Sequence, residues 1–327
     1  MTSKDMTPMV SVVLPAYKGE FFKESVKSIL AQTYRDFELI VVDDASPFDF
    51  PSVLDEFNDE RIVYRRNAKN IGGIDLSGAY RHACAFARGR YIVLASDDDV
   101  YKPTYLERMV ELGESNPKVS LFSCRVGHID EIGQLTDAGV PVLNHETALY
   151  FMMMHEVRRR HLTLFEWFIR RSSLEAIGGI AKYPLGWFSD TKTMYLLASY
   201  KNGGVLFAPQ MLGMYRDSPI QISHPSKGVL QKCEATLQFY DWFSRLIEEN
   251  GESMVTSDED RATLCRLKAG YPLLAKALLL QLVGYARGVD DTIKIMKSIS
   301  GCGYVRKRSI YFSMLRKAFR SVLKVFE

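Results

Sequence analysis

At 327 residues, 47% of them apolar, the chain is longer than one small domain and can bury a sizeable core. Its 25% charged residues and net charge of +3 exclude collagen-like, disulfide-scaffold and wholly disordered classes. The charge is unevenly spread: residues 294–327 hold nine Lys and Arg against one acid, while residues 1–293 hold 33 against 38.

Met1 to Pro8 is polar and lacks the apolar stretch of a secretory signal. Val10–Leu14, stopped by Pro15, reads as a strand. Phe22, Val26, Ile29 and Leu30 then recur at helical spacing, and Leu39–Val42 is a second apolar, β-branched run. Ser52–Phe57 reads as a short helix and Arg61–Tyr64 as a third strand. Ala79–Ala87 reads as a helix closed by Gly89, and Tyr91–Ala95 as a fourth strand. This alternation predicts an α/β fold, a mostly parallel sheet flanked by helices. Ligands of such sheets gather at the carboxyl ends of the strands.

The residues that follow the strands are therefore informative. The first strand is followed by Pro15-Ala16-Tyr17-Lys18, the second by Asp43-Asp44-Ala45-Ser46, and the fourth by Ser96-Asp97-Asp98-Asp99. Parallel strands bring these acids to one edge, where like charges are costly unless a cation neutralises them. Carboxylates suit hard ions such as Mg²⁺ or Mn²⁺. The same acids can also cap the helices that follow them. No GxGxxG opens the first helix and no GxxxxGK[ST] occurs, so a glycine cradle for phosphate is not indicated. Five scattered cysteines without a CxxC pair argue against a zinc knuckle and fit a reducing compartment.

Val10–Tyr17, Ser25–Thr33 and Phe37–Ser46 together resemble the opening of family 2 inverting glycosyltransferases of the GT-A fold. Asn70-Ile71-Gly72-Gly73, Ala87–Ile92, Asp97–Asp99, Ile177-Gly178-Gly179 and Tyr215-Arg216 continue the resemblance in order, over Met9 to Ser223. The resemblance implies a nucleotide-sugar donor, UDP-linked in the first instance, with Pro15, Ala16, Tyr17 and Asp44 lining the pocket for base and ribose. It also implies that Asp97 and Asp98 hold the diphosphate and its divalent metal. Ala95 stands where many relatives carry an acid, Asp99 adds an acid downstream, and Tyr80-Arg81 replaces a common Arg-Asn. Asp98 is the first choice of metal ligand, with Asp99 and a late His224 as further candidates.

Inverting transfer needs a general base on the acceptor side and electrostatic help for the departing diphosphate. The resemblance implies a catalytic acid at the start of a helix some ten residues after Gly-Gly, and Asp190, eleven residues after Gly179 and opening an apolar helical run, is the candidate base. Its alternative is a helix cap. Relatives usually carry Glu-Asp where this chain has Ser189-Asp190. Trp187 reads equally as an acceptor wall or a packing residue, and Trp167 as a buried strand residue. Arg216 offers a bidentate fork for phosphate oxygens, or a surface ion pair.

After Ser226 strands become scarce. Leu237, Tyr240, Phe243 and Ile247 keep helical spacing up to Asn250-Gly251, and Leu273–Ala286 reads as a buried helix begun at Pro272. In the last segment Ser309, Ser313, Arg316, Lys317, Arg320, Ser321 and Lys324 form one polar stripe opposite an aromatic and aliphatic face. That pattern fits an interfacial helix on an anionic membrane surface, or a terminal helix packed on protein. Nucleic acid fits poorly beside a carboxylate-rich site.

These expectations amount to a GT-A domain over residues 1–223 and a helical extension over 224–327. The function expected is metal-dependent transfer of a sugar to a glycan or lipid-linked glycan, in the cytoplasm and peripheral on the inner face of its membrane. A homo-oligomer is left open. The rival readings are a catalytically silent nucleotide-sugar-binding or scaffold protein, and a nucleotidyltransferase, for whose basic loop only Lys18 is available.

Overall fold

The computed structural model describes residues 7–157, 163–217, 228–285, 293–295 and 297. His224 and the basic segment 304–327 lie outside the described residues. The chain divides into two compact units. The described parts of 1–182 and 189–217 form one, and residues 183–188 with those from 228 onward form the other. The stretch Tyr183–Phe188, expected within the first domain, thus groups with the second.

In the first unit the order is β1 (Val10–Ala16), α1 (Phe22–Leu30), β2 (Phe37–Asp43), α2 (Phe50–Asp55), β3 (Ile62–Arg66), α3 (Leu76–Cys84) and β4 (Tyr91–Leu94). There follow β5 (Val100–Tyr101), α4 (Tyr105–Ser115), β6 (Leu121–Ile129), β7 (Leu135–Asp137), β8 (His145–Glu146) and α5 (Ala148–Glu156). Then come β9 (Phe168–Arg170), α6 (Arg171–Ala176), α7 (Ser189–Ser199) and β10 (Val205–Arg216). The strands join one sheet in the order β3-β2-β1-β4-β9-β6-β10-β5, with β7 on β6 and β8 on β10.

The first four strands are parallel, as their chain order predicts. Beyond them the sheet is mixed, because β9 runs antiparallel to both β4 and β6, and β5 antiparallel to β10. Periodicity does not report strand direction. The β1–β2 register sets Ala16 beside Asp43, so the loops after these strands leave the sheet side by side.

Val12, Leu14, Leu39, Val41 and Val93 pack in one core with Phe22, Val26 and Ile29 of α1, each essentially buried. Burying a side chain of this size stabilises the fold by roughly 1.5–3 kcal/mol. Gly89 lies where a Cβ would come within 2.5 Å of the Ser11 backbone nitrogen, and its own N–H donates to Ser11 Oγ at 2.8 Å. A side chain there would push β1 from β4. Trp167 is fully buried edge-on to Phe151, as its apolar neighbours predict.

The second unit contains α8 (Val229–Arg245), a π turn, a short 3-10 turn and α9 (Asp258–Tyr285). Contrary to the expectation that a helix begins at Pro272, this proline lies inside α9. A proline there lacks one hydrogen bond and crowds the preceding turn, at a cost of about 3 kcal/mol. Burial of Leu264 and Leu267 before it and of Ala275, Leu279 and Leu282 after it offsets that strain. Phe188 stacks on Phe239 at 4.3 Å, and Lys232 Nζ sits 4.4 Å from the ring of Trp187. Trp187 is thus engaged in packing within this unit. Among the described residues no helix is long and apolar enough to cross a membrane.

Candidate active site

Three loops meet where β1, β2 and β4 end. Ser46 joins the first two: its hydroxyl donates to Tyr17 O at 2.6 Å and accepts from Phe48 N at 3.0 Å. Asp44 N donates to Ala16 O at 2.9 Å. Gly19 permits the turn after β1, since a Cβ there would run into the Phe48 ring at 2.2 Å. Ala16 is buried and Pro15 half-buried, whereas Tyr17 is 44% exposed, its ring open to a stacking partner.

Neither acid at the end of β2 caps a helix. Asp43 is fully buried and holds Ser46 N, Tyr64 OH and the Arg66 guanidinium. Asp44 accepts from Asn67 Nδ2 at 2.7 Å, Ile71 N at 2.9 Å and Gly72 N at 2.6 Å. Asp44 therefore shapes the rim of the expected base pocket by fixing the 67–72 loop. A Cβ on Gly72 would press on its carboxylate at 3.1 Å, which explains the glycine in this motif.

The three acids after β4 have separate surroundings. Asp97 Oδ2 accepts from the backbone N–H groups of Tyr17 and Lys18, at 2.9 and 2.8 Å. Asp98 Oδ2 pairs with Lys18 Nζ at 3.0 Å. Asp99 is buried, with Oδ2 on the Ser96 hydroxyl and Oδ1 on Arg216 N at 2.9 Å. Burial, and then the charge of Asp98, raise the carboxyls of Asp97 and Asp99 above the ordinary range, Asp99 well above it. Burial alone would lower the Lys18 ammonium. The field of Asp98, Asp97 and Asp99 outweighs it and leaves the group raised, hence charged.

The residues fit a divalent ion of the expected kind in one arrangement. Asp97 and Asp98 each keep Oδ1 without a hydrogen bond among the described residues. Such ions bind through one or two carboxylates and take the rest of their ligands from water and phosphate. Among the described residues no group of three or more His, Cys, Asp and Glu converges on a metal position. With both oxygens engaged, Asp99 buttresses the site, which replaces its sequence reading as a ligand.

Arg216 also differs from its expectation. It is 1% exposed, and its fork is buried in the protein instead of turned to open space. Its Nε donates to Asp98 O at 2.9 Å, Nη1 to Asp130 O and Glu131 O at 2.9 and 3.2 Å, and Nη2 to Glu24 Oε2 at 2.7 Å. The guanidinium lies 4.3 Å over the Phe21 ring. It locks the acidic loop to α1 and to the end of β6. The antiparallel pairing of β10 with β5, Met214 opposite Val100, brings Arg216 to Asp99 across 117 residues of chain.

Asp190 stands in the first turn of α7, half-buried, with Oδ1 accepting from Thr191 N at 2.7 Å and Thr191 Oγ1 at 3.3 Å. Burial raises its carboxyl above the ordinary range, against the pull of those two bonds. The Tyr80-Arg81 pair connects this helix to the strand ends. Tyr80 OH donates to Ala95 O at 3.0 Å, Arg81 Nη1 to Ala181 O at 3.1 Å, and Ala181 N to Thr193 Oγ1 at 2.9 Å. Sequence reading did not assign Lys18, Glu24, Tyr80 or Arg81 to the site. Lys18 carried a signal as the cation directly after β1, and Tyr80-Arg81 one as a departure from the family's Arg-Asn; Glu24 carried none.

Residues 11–178, just over half the chain, match the family described as Glycosyl transferase family 2. An uncharacterized glycosyltransferase of Methanocaldococcus jannaschii is 35% identical over 134 residues, 39% of this chain and 45% of that protein. The UDP-Glc:alpha-D-GlcNAc-diphosphoundecaprenol beta-1,3-glucosyltransferase WfgD of Escherichia coli is 33% identical over 105 residues, 32% of this chain and 40% of the enzyme. The chain thus spans less than half the length of either relative. Among solved structures, the mannosyltransferase PcManGT of Pyrobaculum calidifontis, in complex with GDP-Man and Mn²⁺, superposes with a TM-score of 0.54. That match covers 97% of this chain and 88% of PcManGT at 15% identity, a likeness of fold. By the family match over its first half, together with the mixed sheet and the acidic strand end, the chain belongs to glycosyl transferase family 2.

Proposed function

We propose that this glycosyltransferase moves a sugar, with inversion, from a UDP-linked donor to a saccharide or lipid-linked saccharide acceptor, aided by Mg²⁺ or Mn²⁺. The observation that carries the reading is the meeting of the β1, β2 and β4 loops around Asp97 and Asp98, each with an open carboxylate oxygen. The donor and acceptor named for the E. coli relative support it, as do the GDP-Man and Mn²⁺ held by PcManGT.

In this reading Tyr17 stacks on the nucleotide base beside Pro15 and Ala16, and the loop that Asp44 fixes closes the pocket rim. Asp98 and Asp97 would hold a divalent ion, which would supply Lewis-acid stabilisation for the departing diphosphate. Asp190 takes the proton of the acceptor hydroxyl as its oxygen attacks the anomeric carbon. The bond from that carbon to the diphosphate oxygen breaks, and the nucleoside diphosphate leaves from the opposite face.

A panel of nucleotide sugars, assayed for donor hydrolysis with and without chelator, tests the reading. Cleavage of one UDP-sugar, lost in chelator and restored by Mn²⁺, is the expected result. No cleavage of any donor, with UDP still bound, favours the silent binding protein instead. The basic stripe of residues 309–324 supports peripheral attachment to an anionic membrane, at the inner face of the cytoplasmic membrane. Deletion of residues 304–327 is expected to move the protein from vesicles containing anionic lipid to the supernatant. Unchanged sedimentation would assign the segment to packing on protein.

A further inference from the structure

Lys18 meets the carboxylates of the acidic strand end through both its side chain and its backbone. Its N–H is held by Asp97 Oδ2 at 2.8 Å, and its ammonium reaches Asp98 Oδ2 at 3.0 Å. The pair is sheltered, with side chains 17% and 13% exposed. A sheltered carboxylate is costly without a counter-charge, and here Lys18 provides it. Asp97 ties the Lys18 backbone to the strand end, while the ammonium sits on a flexible four-carbon stem.

An ammonium and a divalent ion sharing one carboxylate repel each other strongly at a separation of a few ångströms in a sheltered site. The ion therefore binds best when the ammonium has somewhere else to go. A nucleoside diphosphate offers it, since its oxygens bring the negative charge that Lys18 gives up at Asp98.

We propose that Lys18 is the resident counterion of Asp98 in the nucleotide-free protein and yields that carboxylate to a divalent cation when a nucleoside diphosphate arrives to receive the ammonium. This rests on the reading of Asp97 and Asp98 as the metal-binding acids. Its consequence is cooperativity: the metal binds weakly alone and tightly with nucleotide, and the nucleotide gains a cationic contact. Lys18 thus has two alternative partners, Asp98 without nucleotide and the diphosphate with it.

The test is Mn²⁺ titration of the full chain, followed by water-proton relaxation, with and without UDP. It uses Lys18→Met, Lys18→Arg and Asp98→Asn, each checked for folding by circular dichroism. Lys18→Met is expected to tighten Mn²⁺ binding to the nucleotide-free protein by about fivefold or more, in the range of ordinary coupling between sites. In chelator the same variant is expected to bind UDP more weakly. Lys18→Arg, which keeps the charge, is expected to resemble the parent protein in the nucleotide-free titration. General damage to the site would loosen Mn²⁺, so the sign separates the proposal from a structural defect. Unchanged or weaker Mn²⁺ binding in Lys18→Met, with Asp98→Asn weakened, overturns the Lys18 proposal and leaves the metal site standing. Undiminished Mn²⁺ affinity in Asp98→Asn overturns both.

Discussion

Asp190→Asn is expected to lower turnover by about 10²- to 10⁴-fold, the contribution of a positioned general base, while UDP affinity stays at the parent value. The substitution keeps the oxygen that accepts from Thr191 N at 2.7 Å, so the turn it supports survives. Steady-state kinetics beside UDP titration checks both halves. Burial raises the carboxyl of Asp190, and only its ionised form accepts a proton. Turnover of the parent protein therefore falls as pH drops through a value above the ordinary carboxylate range, which is near ~4. The variant lacks that limb.

Stability has the opposite sign. A carboxyl raised in the folded state favours folding below its unfolded pKa, and that contribution is lost as pH rises through the folded value. Removing the charge therefore should not lower the melting temperature at neutral pH. Capping alone predicts turnover intact in Asp190→Asn, since Asn caps as well as Asp, and a loss of about 1 kcal/mol only in Asp190→Ala. Parent-like turnover in Asp190→Asn would take Asp190 out of the reaction.

Arg216→Met is expected to cost about 3 kcal/mol, because acceptors still partly open to water lose a donor at roughly 1 kcal/mol each, the low end of the range for buried groups. The carbonyls of Asp98, Asp130 and Glu131 lose their shared partner, and the Phe21 ring loses the guanidinium above it. For a unit of this size the melting temperature falls on the order of 10 °C. Glu24→Gln should change it far less, since the Glu24 side chain is 51% exposed and such pairs are worth about 1 kcal/mol at most. Lysine at 216 should rescue little, because an ammonium cannot spread over four acceptors in one plane. Differential scanning calorimetry decides the matter. A melting temperature within a degree of the parent in Arg216→Met would mean the lock carries no weight.

Much of the fold was legible in the chain. β1, α1, β2 and β4 fall where hydrophobic period and Pro or Gly punctuation place them, because strands buried on both faces and a one-faced helix leave local signatures. The four-strand parallel core followed from the strand–helix alternation. The antiparallel insertion of β9 did not, since direction depends on which edge a later strand reaches. Nor did the continuation of α9 through Pro272, where packing on both sides outweighs a local penalty.

The site divides along the same line. Which residue types gather there was readable, because the acids at Asp43-Asp44 and Asp97–Asp99 follow strands that one sheet must end together. What each acid does was not. Asp44 is committed to a loop 23–28 residues away, Asp99 to a backbone 117 residues away, and Asp98 to Lys18 across 80. Arg216 looked like a fork for phosphate and proved a buried tie, because five donors satisfy whatever carbonyls the fold sets around them.

By itself, then, the sequence determined the family, the sheet edge and the charge that collects there, with the basic excess confined to its last segment. Local pattern and chain order suffice for those. Only the tertiary structure decided which carboxylate oxygens are spent on the protein and which stay open, because hydrogen-bond partners at that edge come from segments far apart in the chain. That partition separates Asp97 and Asp98 from Asp99, and it makes Lys18 part of the site.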